Sequence, residues 1–163
     1  MKIFIAGIMQ GSKIGLELHS QDYRKQLKSA LTRAFPNSTI YDPFESNRNS
    51  LYYTPEMGKK VFLTHNRMCG TEIDVLIAFV PEASMGTSIE IWEAWKNGAV
   101  VLTISPLSSN WAVKFLSDAI YPNLESFLQQ LDSGEISRLI EQRRPRSTKR
   151  SLENLESLGI ESN

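Results

Sequence analysis

The chain has 163 residues, which at about 150 residues per domain is one domain; 41% apolar against 22% charged residues is the composition of a soluble globular protein. Eighteen Lys and Arg balance eighteen Asp and Glu, which argues against a domain whose whole surface grips nucleic acid and leaves only a local basic patch. The single cysteine, Cys69, excludes an intramolecular disulfide, and no apolar run approaches the ~20 residues of a membrane helix. The apolar start is too short for a signal peptide, so the expected setting is the cytoplasm, with no membrane partner.

Residues 3–6, Ile-Phe-Ile-Ala, form a short apolar run ending at Gly7 and read as a buried strand. Residues 9–13 have no periodicity and read as a loop. From 22 to 35 the pattern turns helical: Tyr23, Leu27, Leu31 and Phe35 recur every four residues, and Pro36 stops them. Residues 39–41 read as a weak second strand and 42–53 as a long loop. Thr54-Pro55-Glu56 predicts a helix start, running to about Met68. The clearest strand is 74–80. A helix from about Ser88 to Asn97, stopped by Gly98, leads to a strand at 99–104. A short helix at 110–116, a last strand at 119–121 and a helix from 124 to about 131 complete the pattern.

Strands alternate with helices, and two strands are apolar on both faces. This predicts an α/β fold: a doubly wound, flavodoxin-like sheet of about five parallel strands with helices on both faces. Ligands of such sheets lie at the carboxyl ends of the strands, here Gly7, Asp42, 80–86 and 105–106. The domain is expected to span 1–133. Residues 134–163 carry Arg138, Arg143, Arg144, Arg146, Lys149 and Arg150 around one proline and read as a basic, flexible extension with one helical turn or two, a solvated tail rather than a site for an anionic partner.

The stretch 84–94 carries the chemistry. It leaves a buried strand and opens a helix, whose amino end presents unpaired N–H groups and partial positive charge. Ser84, Gly86 and these amides make an anion site, with Thr87 or Ser88 as the cap. Glu90 is expected in the first turn, where a carboxylate is held as the anion and can attack an electron-poor anomeric carbon. An acid three residues after Thr87 is equally a plain capping box. Glu93 reads as solvated or as a support behind Glu90. Asp74 opens a strand, far from the carboxyl ends, and is either a second site acid reached by a loop or a corner residue. The first loop offers Gly7, Gly11, Ser12 and Lys13 to a phosphate, matching neither the Walker spacing nor a dinucleotide fingerprint. Arg24 and Lys25 read as solvated. His19 and His65 have no carboxylate or Cys at metal spacing, so no metal and no cofactor is expected. Trp92, Trp95 and Trp111 read as core or as a dimer face.

Taken together, these stretches resemble the nucleoside 2-deoxyribosyltransferase superfamily over residues 2 to 131. Phe4-Ile5-Ala6-Gly7 resembles its opening strand and turn, Asp74 to Ala78 its acid-led third strand, and Gly86-Thr87-Ser88-Ile89-Glu90 its glycine-to-glutamate motif. The resemblance implies Glu90 as the nucleophile at C1′, Asp74 as the group that orients or protonates the leaving base, and a homodimer or higher oligomer whose site a neighbouring subunit completes. Ser84-Met85-Gly86-Thr87, with Ser105-Pro106 and Asn110-Trp111, is most similar to the nucleoside-monophosphate N-glycosidase branch, in particular its CMP hydrolases. That implies a nucleotide substrate bound by Phe4, Gly7, Gly11, Ser12, Ser84, Met85, Gly86, Thr87 and Asn110. Deoxy-specific members carry Tyr where this chain has Phe4, which implies a ribonucleotide. Deoxyribosyl transfer, NAD glycohydrolysis and a nucleotide sensor without turnover are the alternatives.

Overall fold

A computed structural model describes residues 1–15 and 17–143. Five strands, β1 (Lys2–Gly7), β2 (Thr39–Tyr41), β3 (Val75–Phe79), β4 (Val100–Ile104) and β5 (Ala119–Tyr121), form one sheet in the order β2-β1-β3-β4-β5. All pairs are parallel, with Phe4 opposite Tyr41 on one side and Leu76 on the other. The chain steps from β1 outward to β2 and then back across β1 to β3. The order therefore reverses between β1 and β3, where open α/β sheets leave a crevice at the carboxyl end.

Successive residues of each strand face opposite layers. Ile3, Ile5, Val75, Ile77, Val100 and Leu102 bury against α1 (Asp22–Ala34), α6 (Leu124–Asp132) and α7 (Glu135–Arg143), through Leu27, Leu31, Phe127 and Ile136 among others. Phe4, Ala6, Leu76, Ala78 and Val101 bury against α3 (Pro55–Thr71), α4 (Met85–Lys96) and α5 (Trp111–Leu116), through Cys69, Ile91, Ala94 and Leu116. The continuous apolar runs of the sequence follow from this two-sided burial.

Two stretches differ from the sequence reading. Residues 42–53 are partly helical: α2 (Pro43–Ser46) is capped by Asp42, whose carboxylate accepts from Phe44 N at 3.0 Å, and a 3₁₀ turn covers Ser50–Tyr52. The flexible extension expected from 134 is corrected over Glu135–Arg143, which is helix α7. Ile136 and Ile140, one turn apart, are 0% and 2% exposed in the same core as Phe127 and Leu131. Gly134, at φ +78°, makes the break between α6 and α7 that only a glycine takes easily. The basic residues from 144 onward lie outside the described residues. No described helix is long and apolar enough to cross a membrane.

Candidate active site

A cavity of about 390 Å³ opens at the carboxyl edge of β1 and β3. Its first wall is the end of β1 and the loop beyond. Gly7 must be glycine: a side chain there would collide with the Tyr23 hydroxyl and come within 3.1 Å of Phe79 O. Gly11 takes φ +58°, and its backbone lines the cavity with Met9 and Gln10. Ser12 does not reach the cavity lining.

The second wall is the amino end of α4. The helix begins at Met85, three residues before the expected start, with Ser84 as its cap residue. Gly86, Thr87 and Ser88 are thus inside the helix. The Ser84 hydroxyl meets Thr87 Oγ1 at 2.9 Å, and both side chains are buried. Glu90 stands in the second turn, so the capping-box reading and the first-turn stabilisation of its anion are both corrected. What governs Glu90 is burial. It lifts the carboxyl from its ordinary 4.5 to about 7, and the nearby Arg24 charge opposes part of that rise. Glu90 is intermediate in exposure as a residue and lines the cavity. A carboxyl raised above its ordinary range on the wall of a crevice marks a candidate site residue.

Between these walls lies Arg24, read as solvated from sequence and in fact 2% exposed. Its Nη1 donates to Ile5 O and Asp42 Oδ1, each at 2.9 Å, its Nη2 to Gly7 O at 3.1 Å, and its Nε to Gln21 Oε1 at 2.7 Å. The guanidinium gathers the carbonyls that β1 leaves unpaired at its end and fixes them to the first helix.

The third wall comes from residues 43–65, outside β1 on the β2 side of the sheet. It supplies Pro43, Asn47, Ser50, Tyr53, Phe62 and His65. His65 Nε2 lies 3.1 Å from Tyr41 Oη and 3.4 Å from Asn47 Nδ2. Burial and the Arg24 charge hold its imidazole below the ordinary value, so it is neutral at pH 7.

Of the residues expected at the site, the fold brings together Gly7, Gly11, Ser84, Met85, Gly86, Thr87 and Glu90. It leaves four elsewhere. Asp74 stands at the amino end of β3, where its Oδ2 accepts from Lys2 N at 2.6 Å; the strand's length separates it from the carboxyl edge. Phe4 is fully buried, packed against Tyr41 and His65 rather than facing the cavity. Asn110 caps α5, its Oδ1 accepting from Ala112 N and Val113 N. Ser12 is the fourth. Arg24, Asn47, Tyr53 and His65 were missed, although two left a signal. Arg24 shares the helical stripe of Leu27 and Leu31, and His65 shares that of Val61, Phe62 and Cys69.

No protein-family model matches the chain, and no curated protein matches its sequence. Among solved structures it is similar to a 2-deoxyribosyltransferase from the psychrotolerant bacterium Bacillus psychrosaccharolyticus. That match has a TM-score of 0.57 and 14% identity, over 78% of this chain and 90% of that one. A CMP N-glycosidase from Clostridium botulinum, BcmB, matches over 82% of this chain and 98% of its own, at 19% identity and a TM-score of 0.45. The first likeness establishes a shared fold, the flavodoxin-like α/β sheet expected from the sequence.

Proposed function

We propose that this protein hydrolyses the N-glycosidic bond of a nucleoside 5′-monophosphate. The observation that carries this reading is Glu90. It is a carboxyl on the wall of a crevice at the β1–β3 switch point, held near neutrality by burial and set one turn beyond a helix amino end. A Glu90 oxygen attacks C1′ and the bond to the base breaks. Water then cleaves the glycosyl ester and returns the carboxylate. The transition state carries positive charge on the sugar, which the fixed anion beneath it stabilises. The amides of Met85, Gly86 and Thr87 with the Ser84 hydroxyl suit the 5′-phosphate. The flat side chains Tyr53, Phe62 and His65 suit the base. A CMP-like ribonucleotide is the first substrate to try.

The likeness in fold to a 2-deoxyribosyltransferase keeps transfer to a second base as the alternative outcome of the same covalent intermediate. The test is incubation with a panel of ribo- and deoxynucleoside monophosphates, scored for free base, with Glu90→Gln beside the wild type. Base release by the wild type alone supports the reading. Base exchange with added adenine in place of hydrolysis converts it to transfer. Binding of a nucleotide with no turnover makes the protein a sensor.

The same reading takes a second copy of the chain as partner. The outer faces of α3, α4 and α5 leave Phe62, Leu63, Met85, Ile89, Trp111 and Phe115 between 43% and 85% exposed, apolar surface of the kind that homodimers bury. Phe62 and Met85 also line the cavity, so a partner seated there would border the site. A monomer in sedimentation equilibrium would remove this part of the reading.

A further inference from the structure

Cleavage of an N-glycosidic bond needs an anion beneath C1′ and a hydrogen-bond donor for the base as charge builds on it. Glu90 serves the first need. Asp74, the sequence's candidate for the second, stands at the wrong end of β3. Four cavity-lining residues carry a charged or titratable side chain: Arg24, Tyr53, His65 and Glu90. Arg24 is committed to two backbone carbonyls, Gln21 and Asp42. Tyr53 gives its one proton to Asn47 Oδ1 at 3.2 Å. His65 remains.

The surrounding network decides which ring nitrogen His65 offers. Asn47 Nδ2 lies 3.0 Å from Pro43 O. A carbonyl only accepts, so the amide nitrogen stands on this side, and Asn47 Oδ1 faces the Tyr53 hydroxyl. That same Nδ2 is 3.4 Å from His65 Nε2. Two donors do not face each other, so Nε2 carries a lone pair, and Tyr41 Oη donates to it at 3.1 Å. This network assigns the proton to Nδ1, with the Tyr41 hydroxyl bond at 3.1 Å and the longer Asn47 contact at 3.4 Å both on Nε2. Phe4 and Tyr41 pack edge-on against the imidazole at 5.9 and 5.7 Å between centroids, which holds its orientation.

We propose that His65 holds the departing base, donating Nδ1–H to an acceptor atom adjacent to the glycosidic nitrogen. This rests on the N-glycosidase reading. The ligand class follows: bases with such an acceptor, the O2 of a pyrimidine or the N3 of a purine. In the step, a Glu90 oxygen bonds to C1′ and the C1′–N electron pair moves to the base. His65 keeps its proton and stabilises the charge by hydrogen bonding. One water molecule completes the balance, its proton going to the base and its hydroxide to C1′, which frees Glu90.

A substrate whose leaving group needs no such help separates this role from a structural one. The wild type, His65→Phe and His65→Asn are assayed on CMP, or on whichever monophosphate of the panel is cleaved fastest, and on para-nitrophenyl ribofuranoside 5-phosphate. His65→Phe is expected to lower kcat on the nucleotide about a hundredfold and on the nitrophenyl substrate less than about fivefold. His65→Asn, which keeps a donor near the Nδ1 position, is expected to regain about tenfold on the nucleotide. Parallel losses on both substrates overturn the role of His65 and leave the glycosidase reading standing. Release of neither base nor nitrophenolate by the wild type overturns the glycosidase reading itself, and this inference with it.

Discussion

Arg24 Nη1 and Asp42 Oδ1 are 2.9 Å apart, with their residues 2% and 7% exposed, directly behind the cavity. The pair ties α1 to the turn that starts α2, because Asp42 also caps that helix. Removing one member of a buried pair leaves the other charge uncompensated and costs about 3–5 kcal/mol. Asp42→Ala is therefore expected to lose about that much in urea unfolding, with an added share for the lost cap. A loss under about 1 kcal/mol would mean that water reaches Arg24 and the pair behaves as a surface bridge.

The second prediction concerns pH. In the proposed reaction the nucleophile is the ionised form of Glu90, and its carboxyl is raised to about 7. Turnover should therefore fall as pH drops through about 7, not through the ordinary carboxylate range. The Arg24 charge lowers this value, so Arg24→Met should move the acid limb of kcat/KM to higher pH. Stability runs the other way. A group whose folded value exceeds its unfolded one supports the fold most below the unfolded value, and loses that support as pH rises through the folded value. The rise from 4.5 to about 7 corresponds to roughly 3 kcal/mol. Glu90→Gln should thus melt higher than the wild type at pH 8 and no higher at pH 4. An acid limb unmoved in Arg24→Met would show that Arg24 does not act on Glu90.

The sheet was legible in the sequence because β1, β3 and β4 are buried on both faces, which calls for almost continuous apolar runs; Thr103, the buried polar exception in β4, pairs its hydroxyl with that of Ser117. The glycines and hydroxyls of the site were legible because a helix amino end after a buried strand has few purposes. Arg24 and His65 were not, because charge is ordinarily read as exposure. Each sits on an apolar helical stripe whose significance depends on partners far along the chain: Arg24 on Asp42, His65 on Tyr41 and Asn47. The start of α4 was misplaced because Gly86 and two β-hydroxyl residues are weak helix formers, and here tertiary packing overrides propensity. The packing of helix α7 into the core was not legible, because its arginines outweighed two isoleucines at the right spacing.

Gly86 separates folding from binding. A Cβ built there meets nothing within 4 Å, yet the residue lines the cavity. Gly86→Ala should stabilise α4 by up to about 0.5–1 kcal/mol through lower backbone entropy in the unfolded chain. If the 5′-phosphate binds here as proposed, the same methyl would occupy its space, so the KM for CMP should rise while the melting temperature also rises. Ser84→Ala should weaken monophosphate binding about tenfold, and the parent nucleoside far less, if its hydroxyl meets the phosphate. Equal losses for nucleotide and nucleoside would place the phosphate elsewhere.

Phe4 tests the sugar. The resemblance sets Phe4 where deoxy-specific members carry Tyr and so implies a ribonucleotide if the ring borders C2′, while the strand pattern makes Phe4 a plain core residue. The fold buries Phe4 completely, its ring centroid 5.4 Å from that of Tyr41 and 5.9 Å from that of His65. Phe4→Tyr adds a hydroxyl inside a filled core. Overpacking or an unpaired polar group there costs about 1–3 kcal/mol, so the variant should unfold at lower urea. Its kcat on every substrate should drop modestly through the neighbouring His65. The ratio of kcat/KM for CMP over dCMP should not move, because no atom of residue 4 lines the cavity. A direct clash with the 2′-hydroxyl would be worth about 1–3 kcal/mol, a tenfold change or more in that ratio. A shift of that size toward dCMP would return Phe4 to the sugar and require the β1 end of the cavity to reach deeper than the packing of Phe4 allows.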